Sequence, residues 1–194
     1  MPGGQPATPP GGPPAGLHHL VLVGLMGAGK TTVGILVAAR LGLPFRDGDA
    51  MLEAATGRTA AAIRDAEGAD ELHRAEYRVL QEALGSEAAS VIGAAAAVVD
   101  DPACRAALRA PGVAVAWLRA DPAVLGHRFA AAADGEGAHR PAYGEDPTAF
   151  LGAHARRRAA RFAACRPLVV VDTGRLSSAE VVERIVAALR SAAR

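Results

Sequence analysis

Residues 24–31, Gly24-Leu25-Met26-Gly27-Ala28-Gly29-Lys30-Thr31, match the pattern G-x-x-x-x-G-K-[ST] at every position. Each residue type in that pattern has a task in holding a polyphosphate. Glycines at this spacing let backbone N–H groups converge on the α- and β-phosphates, a lysine reaches the β- and γ-phosphates, and the Thr31 hydroxyl can ligate Mg²⁺. Of the 21 Lys and Arg residues Lys30 is the only lysine. The chain thus carries its other positive charges on arginine and keeps a compact ammonium where a broad planar guanidinium could not simply take its place. The motif points to a nucleoside triphosphate.

A phosphoryl-transfer site also needs carboxylates, to hold the metal through its waters and to take the acceptor's proton. Three places compete. Ala97-Val98-Val99-Asp100 and Val169-Val170-Val171-Asp172 both read as apolar strands ending in Asp, whereas Phe45-Arg46-Asp47-Gly48-Asp49 offers two carboxylates around a glycine after a short strand. The i, i+2 spacing lets Asp47 and Asp49 face different directions, one toward metal and one toward acceptor. That pair is the preferred candidate, against the plainer alternative of an Asp-Gly turn with N-cap duty for the helix that follows.

The elements that must position these groups are legible as well. His19-Leu20-Val21-Leu22-Val23 is a short apolar run before the Gly-rich loop, and apolar residues recur at helical spacing from Thr32 to Leu41 after it. Strands are predicted near 18–23, 44–46, 89–93, 113–118 and 168–172, alternating with helical patterns as in a parallel sheet covered by helices on both faces. Asp101-Pro102, Asp121-Pro122 and Asp146-Pro147 mark helix starts, and Ser177-Ser178-Ala179-Glu180 fits a capping box. Residues 133–145 are Gly-rich, polar and long for a connection in a compact domain, so they read as a lid or as slack. Arg140 in their middle favours the lid, because a loop closing over a triphosphate needs a cation.

Together, the phosphate loop with Thr31-Thr32-x-Gly34, Asp47-x-Asp49, Glu53, Thr56-Gly57-Arg58, Gly68, Glu71, Glu76, Arg140-Pro141 and Asp172-Thr173 resemble the shikimate kinase family, from about residue 18 to the C-terminus. The resemblance implies a three-layer α/β P-loop kinase fold around a central five-stranded parallel sheet, with a mobile lid over about 132–146. It implies ATP and Mg²⁺ as cofactors and shikimate, a small hydroxy acid, as the acceptor. Gly27, Ala28, Gly29, Lys30, Thr31 and Thr32 would hold the phosphates, Thr31 and Asp47 the metal, and Asp49 would contact and activate the acceptor hydroxyl. Arg140 would be the lid arginine, Arg128 and Arg175 would flank the adenine, and Arg158 would grip the acceptor carboxylate.

Two departures fall in the acceptor half. The family's F-R-x-x-E is here Leu72-His73-Arg74-Ala75-Glu76, with His73 where an arginine binds the acceptor carboxylate. Glu76, three residues on along the same helical face, is expected to raise the His73 pKa and keep some imidazolium. The family's Gly-Gly-Gly loop is here Gly93-Ala94-Ala95, and each alanine adds a Cβ and resists positive φ. The alternatives therefore stay open: a related kinase for another polyol, cyclitol or sugar acid, or a nucleotide-binding protein without acceptor chemistry. The Arg156–Arg161 region, with four arginines, also fits a merely solvated helix face.

Composition sets the remaining bounds. A net charge of +1 over 194 residues gives no electrostatic footprint for nucleic acid. Cys104 and Cys165 show no metal or C-x-x-C spacing, which suits a reducing cytoplasm. Residues 1–16 hold six prolines and five glycines without an apolar core, a disordered leader in place of a signal peptide. The longest apolar stretch, Val91 to Val99, is too short to span a bilayer. A monomeric kinase domain over 17–194 is expected.

Overall fold

A computed structural model of the chain describes residues 12–133 and 146–193. Its sheet has five parallel strands, β1 (His19–Val23), β2 (Phe45–Asp47), β3 (Ser90–Gly93), β4 (Val113–Arg119) and β5 (Val169–Asp172), in the order β2-β3-β1-β4-β5. All five predicted strands are present, with ends shifted by a residue or so. β1 is central and buried at every position, as expected of a parallel strand with helices on both faces. The order reverses beside β1, so the crevice at the carboxyl ends of β1, β2 and β3 is the natural ligand position.

Among the described residues eight α-helices surround the sheet: α1 (Lys30–Leu41), α2 (Gly48–Thr56), α3 (Ala60–Glu67), α4 (Ala69–Leu84), α5 (Pro102–Ala107), α6 (Pro122–Ala133), α7 (Pro147–Ala164) and α8 (Ser178–Ala192). The predicted starts hold. Asp101, Asp121 and Asp146 accept from the backbone N–H groups of Cys104, Ala123 and Ala149, and Ser177 and Glu180 close a capping box. The main core joins β1 and β3 to Val33, Val37 and Leu41 of α1, Ile185 and Leu189 of α8, Leu80 of α4 and Phe162 of α7. The Phe162 ring stacks on Trp117 of β4 at 5.3 Å. A smaller core of Leu52, Ile63, Leu72, Ala75 and Val79 ties α2, α3 and α4 into a lobe beside the carboxyl end of β2.

The run Ala97-Val98-Val99-Asp100 corrects one expectation. It is a 3-10 helix over Ala96–Asp100, not a strand. Val98 and Val99 are buried at 1% and 0% exposure, so their apolarity records burial without a sheet partner. At the other end of the sheet, the described part of the leader, residues 12–16, includes a turn in which Leu17 N–H donates to the Pro14 carbonyl at 3.0 Å. Most of the proposed lid, Arg140 included, lies outside the described residues. Among the described residues no helix is long and apolar enough to cross a membrane.

Candidate active site

The Gly-rich loop leaves β1 and enters α1 at Gly29, whose left-handed φ of 88° suits a residue without Cβ. Lys30 Nζ folds back over the loop and donates to the carbonyls of Gly24 at 2.9 Å and Leu25 at 3.1 Å. Its charge therefore sits over the concavity. The N-terminus of α1 adds the positive end of its dipole, and no side chain caps it.

Across the cleft, Thr31 Oγ1 donates to Asp47 Oδ2 at 2.8 Å, and Asp47 Oδ1 accepts from the Asp49 backbone N–H at 3.0 Å. Asp47 is thus both the N-cap of α2 and the neighbour of the loop threonine, so the cap reading holds and leaves its second oxygen beside Thr31. Gly48 is required between the carboxylates by close approach. A Cβ there would lie 2.7 Å from the Gly93 carbonyl oxygen and 3.3 Å from the Ala95 nitrogen. That contact brings the exit of β3 against the Asp47-Asp49 turn. Asp49 is exposed at the mouth of the cleft. The rival carboxylates are occupied elsewhere: Asp172 accepts from the Gly174 N–H in its own turn, and Asp100 pairs with arginines of α7.

Beside the loop, a cavity of about 220 Å³ is lined by Ala28, Gly29, Thr32, Arg128, Thr173 and Val181, among others. Thr173 is buried and its hydroxyl donates to the Ala28 carbonyl at 3.1 Å. Arg128 donates from Nη1 to the Gly27 carbonyl at 3.3 Å and from Nη2 to the Thr173 carbonyl at 2.7 Å. This pair ties the loop to the end of β5. Arg175 is exposed in the following turn, next to Leu176 of the cavity lining. A base can enter this cleft with Arg128 as its neighbour.

The side on which the acceptor is expected is built by α4, the 3-10 helix and α7. Arg158 is 5% exposed, with Nε and Nη2 donating to Asp100 Oδ2 at 2.9 and 2.7 Å and Nη1 donating to His154 Nδ1 at 3.0 Å. Arg161 Nη1 donates to Asp100 Oδ1 at 2.6 Å. Burial pushes the Asp100 carboxyl upward, but these two arginines overcome it and hold the group below the usual carboxylate range. Burial, then the charges of Arg158 and Arg157, bring His154 down to about 4, so its imidazole is neutral and can accept. Of the four arginines of α7, the buried one is therefore not part of a solvated face.

The family model for shikimate kinase matches residues 26–190. A shikimate kinase from Symbiobacterium thermophilum is 40% identical over 174 residues, covering 89% of this chain and 96% of that protein. One from Caulobacter vibrioides is 36% identical over 174 residues, covering 89% and 82%. The chain belongs to the shikimate kinase family. A solved shikimate kinase from Acinetobacter baumannii, in complex with shikimate, superposes with a TM-score of 0.81 at 26% identity, over 90% of this chain and 94% of that one. A gluconokinase from Sinorhizobium meliloti, at 24% identity and a TM-score of 0.58, shares the fold.

Both departures from the family pattern look different in three dimensions. Burial, then the Arg158 charge, lowers the His73 pKa, opposite to the expected rise, so His73 is neutral at pH 7. Glu76 cannot raise it. Burial, and next the charge of Asp49, push the Glu76 carboxyl up to about 8, and its Oε2 is shut off from solvent with no hydrogen-bond partner. Nor do the alanines strain the backbone: Ala95 has φ −59° and ψ 148°, and Arg166 is the only non-glycine with positive φ among the described residues. Ala94 is buried in the main core at 3% exposure, so its methyl group packs there.

The burial of two charged side chains, Glu76 and Arg158, was not read from the sequence, although each carried a signal. Glu76 falls four residues after Leu72 and four before Leu80, within the buried stripe of α4. Arg158 occupies the same stripe of α7 as Leu151 and Phe162. A charged residue in an apolar stripe is the informative exception. The raised Glu76 carboxyl has a measurable consequence. Between its ordinary value near 4.5 and about 8 the folded protein holds one proton more than the unfolded chain, so stability falls as pH rises through that window. Above the range in which the lowered His73 and His154 groups act in the opposite sense, thermal midpoints should decline from about pH 7 to 8, and Glu76→Gln should flatten the decline; an equally steep decline in that variant would assign it elsewhere.

Proposed function

We propose that this protein transfers the γ-phosphoryl group of ATP to a hydroxyl of shikimate, giving 3-phosphoshikimate and ADP. The observation that carries the reading is the pairing of Thr31 with Asp47 at 2.8 Å, at the foot of the phosphate loop and next to Asp49, in a chain of this family. A hydroxyl and a carboxylate are hard oxygen donors suited to Mg²⁺, which keeps several of its waters and needs few protein ligands. When bound, Mg²⁺ supplies positive charge that neutralises the phosphates.

Lys30 and the loop N–H groups of Gly27, Ala28 and Gly29 orient the phosphates, with Thr32 beside them. Arg128 and Arg175 border the base. Asp49 takes the proton from the acceptor hydroxyl, whose oxygen bonds to the γ-phosphorus as the bond from that phosphorus to the β–γ bridging oxygen breaks and ADP leaves. Arg140 closes over the triphosphate from the lid. Arg158 meets the acceptor carboxylate, beside His73 and the Gly93-Ala94-Ala95 backbone. The monomer is the proposed active unit.

ADP release with ATP and Mg²⁺ is expected to rise severalfold or more on adding shikimate, and not with quinate, gluconate or cyclitols. Stimulation only by another hydroxy compound would assign the enzyme to that acceptor. Tight ATP binding with no stimulation by any of them would leave a nucleotide-binding protein.

A further inference from the structure

The acceptor half lacks the cation that the family pattern sets at position 73, since His73 is neutral there. Arg158 is the cation that remains on this side, and its contacts show how it is held. A guanidinium has five N–H donors. Nε and Nη2 present one edge to Asp100 Oδ2, and one further donor on Nη1 meets His154, which leaves two donors on Nη1 and Nη2 for an anion. The same Asp100 accepts from Arg161 through its other oxygen. Two arginines around one carboxylate carry a net charge of one positive unit, so Asp100 fixes the guanidinium plane without cancelling the charge.

We infer that Asp100 is a positioning residue that sets selectivity for an acceptor bearing a carboxylate, by holding Arg158 edge-on while Arg161 keeps the group cationic. The state of Glu76 supports this. Its Oε2 is buried and unpartnered although the charge of Arg158 reaches it, so the guanidinium is oriented by Asp100 and not by Glu76. Glu76 is neutral at pH 7, and the ionised carboxylate of Asp100 holds the guanidinium. Arg158 therefore remains available to an incoming anion. The inference rests on the proposed activity and adds to it the residue that aims the remaining arginine.

The test compares two acceptors in wild type and Asp100→Asn: shikimate, and an analogue with hydroxymethyl in place of the carboxylate. Losing the alignment of one charged hydrogen-bonding group should raise KM for shikimate about 10-fold or more. The kcat, KM for ATP and KM for the analogue should stay within about twofold, since the alignment acts on the carboxylate alone. Asp100→Glu should recover part of the loss. Should Asp100→Asn fail to fold, Arg161→Gln, at a side chain 43% exposed, carries the test, with KM for shikimate rising severalfold and KM for the analogue unchanged. Equal KM changes for both acceptors, or none, overturn the inference while the activity stands. A wild-type protein without shikimate-dependent ADP release overturns both.

Discussion

Lys30→Ala is expected to lower kcat by about 10³-fold, the scale of removing one preorganised donor to charge that develops in the transition state. Lys30 Nζ rests on the loop carbonyls of Gly24 and Leu25, close to where the phosphates would lie, and adds nothing to either apolar core. Stability should therefore hold. Lys30→Arg should also be poorly active, because a planar fork cannot place its charge where a point ammonium fits between converging N–H groups. Steady-state ADP release and thermal unfolding on the same preparations check both statements. Near-normal turnover in a folded Lys30→Ala protein would remove the phosphate loop from the mechanism.

Asp49→Asn should lower kcat by about 10²- to 10⁴-fold, the usual contribution of a positioned general base, with KM for ATP near its wild-type value. Asp47→Asn should fail differently. Its Oδ2 pairs with the Thr31 hydroxyl and its Oδ1 caps α2, so its loss should raise the Mg²⁺ concentration needed for half-maximal rate and lower the thermal midpoint modestly. Rates titrated against Mg²⁺ and against shikimate separate the two effects. Wild-type behaviour in both variants together with a dead Asp172→Asn would move the chemistry to the end of β5, where Asp172 now serves its own turn.

How much of this was legible follows the range of the forces involved. The phosphate loop, the five strands, the Asp-Pro starts and the Ser177–Glu180 capping box depend on φ preferences, periodicity and hydrogen bonds within a few residues, and the structure reproduces them. The Asp47-Gly48-Asp49 turn was readable for the same reason. Its neighbour across the cleft is Thr31, sixteen residues away, and the glycine makes room for the next strand.

The acceptor half was settled at longer range. Asp100 meets Arg158 and Arg161 across 58 and 61 residues, which turned an apparent strand end into the anchor of two arginines. The protonation of His73 and Glu76 was decided the same way, because a pKa responds to burial and to nearby charges, and neither is written in the spacing of residues along one helix. Sequence by itself determined the α/β order, the phosphate loop and the family. Tertiary packing alone decided which arginine is buried, which carboxylate holds it and which side chains of α4 are neutral, since desolvation and pairing exist only once α4, the 3-10 helix and α7 have closed on one another.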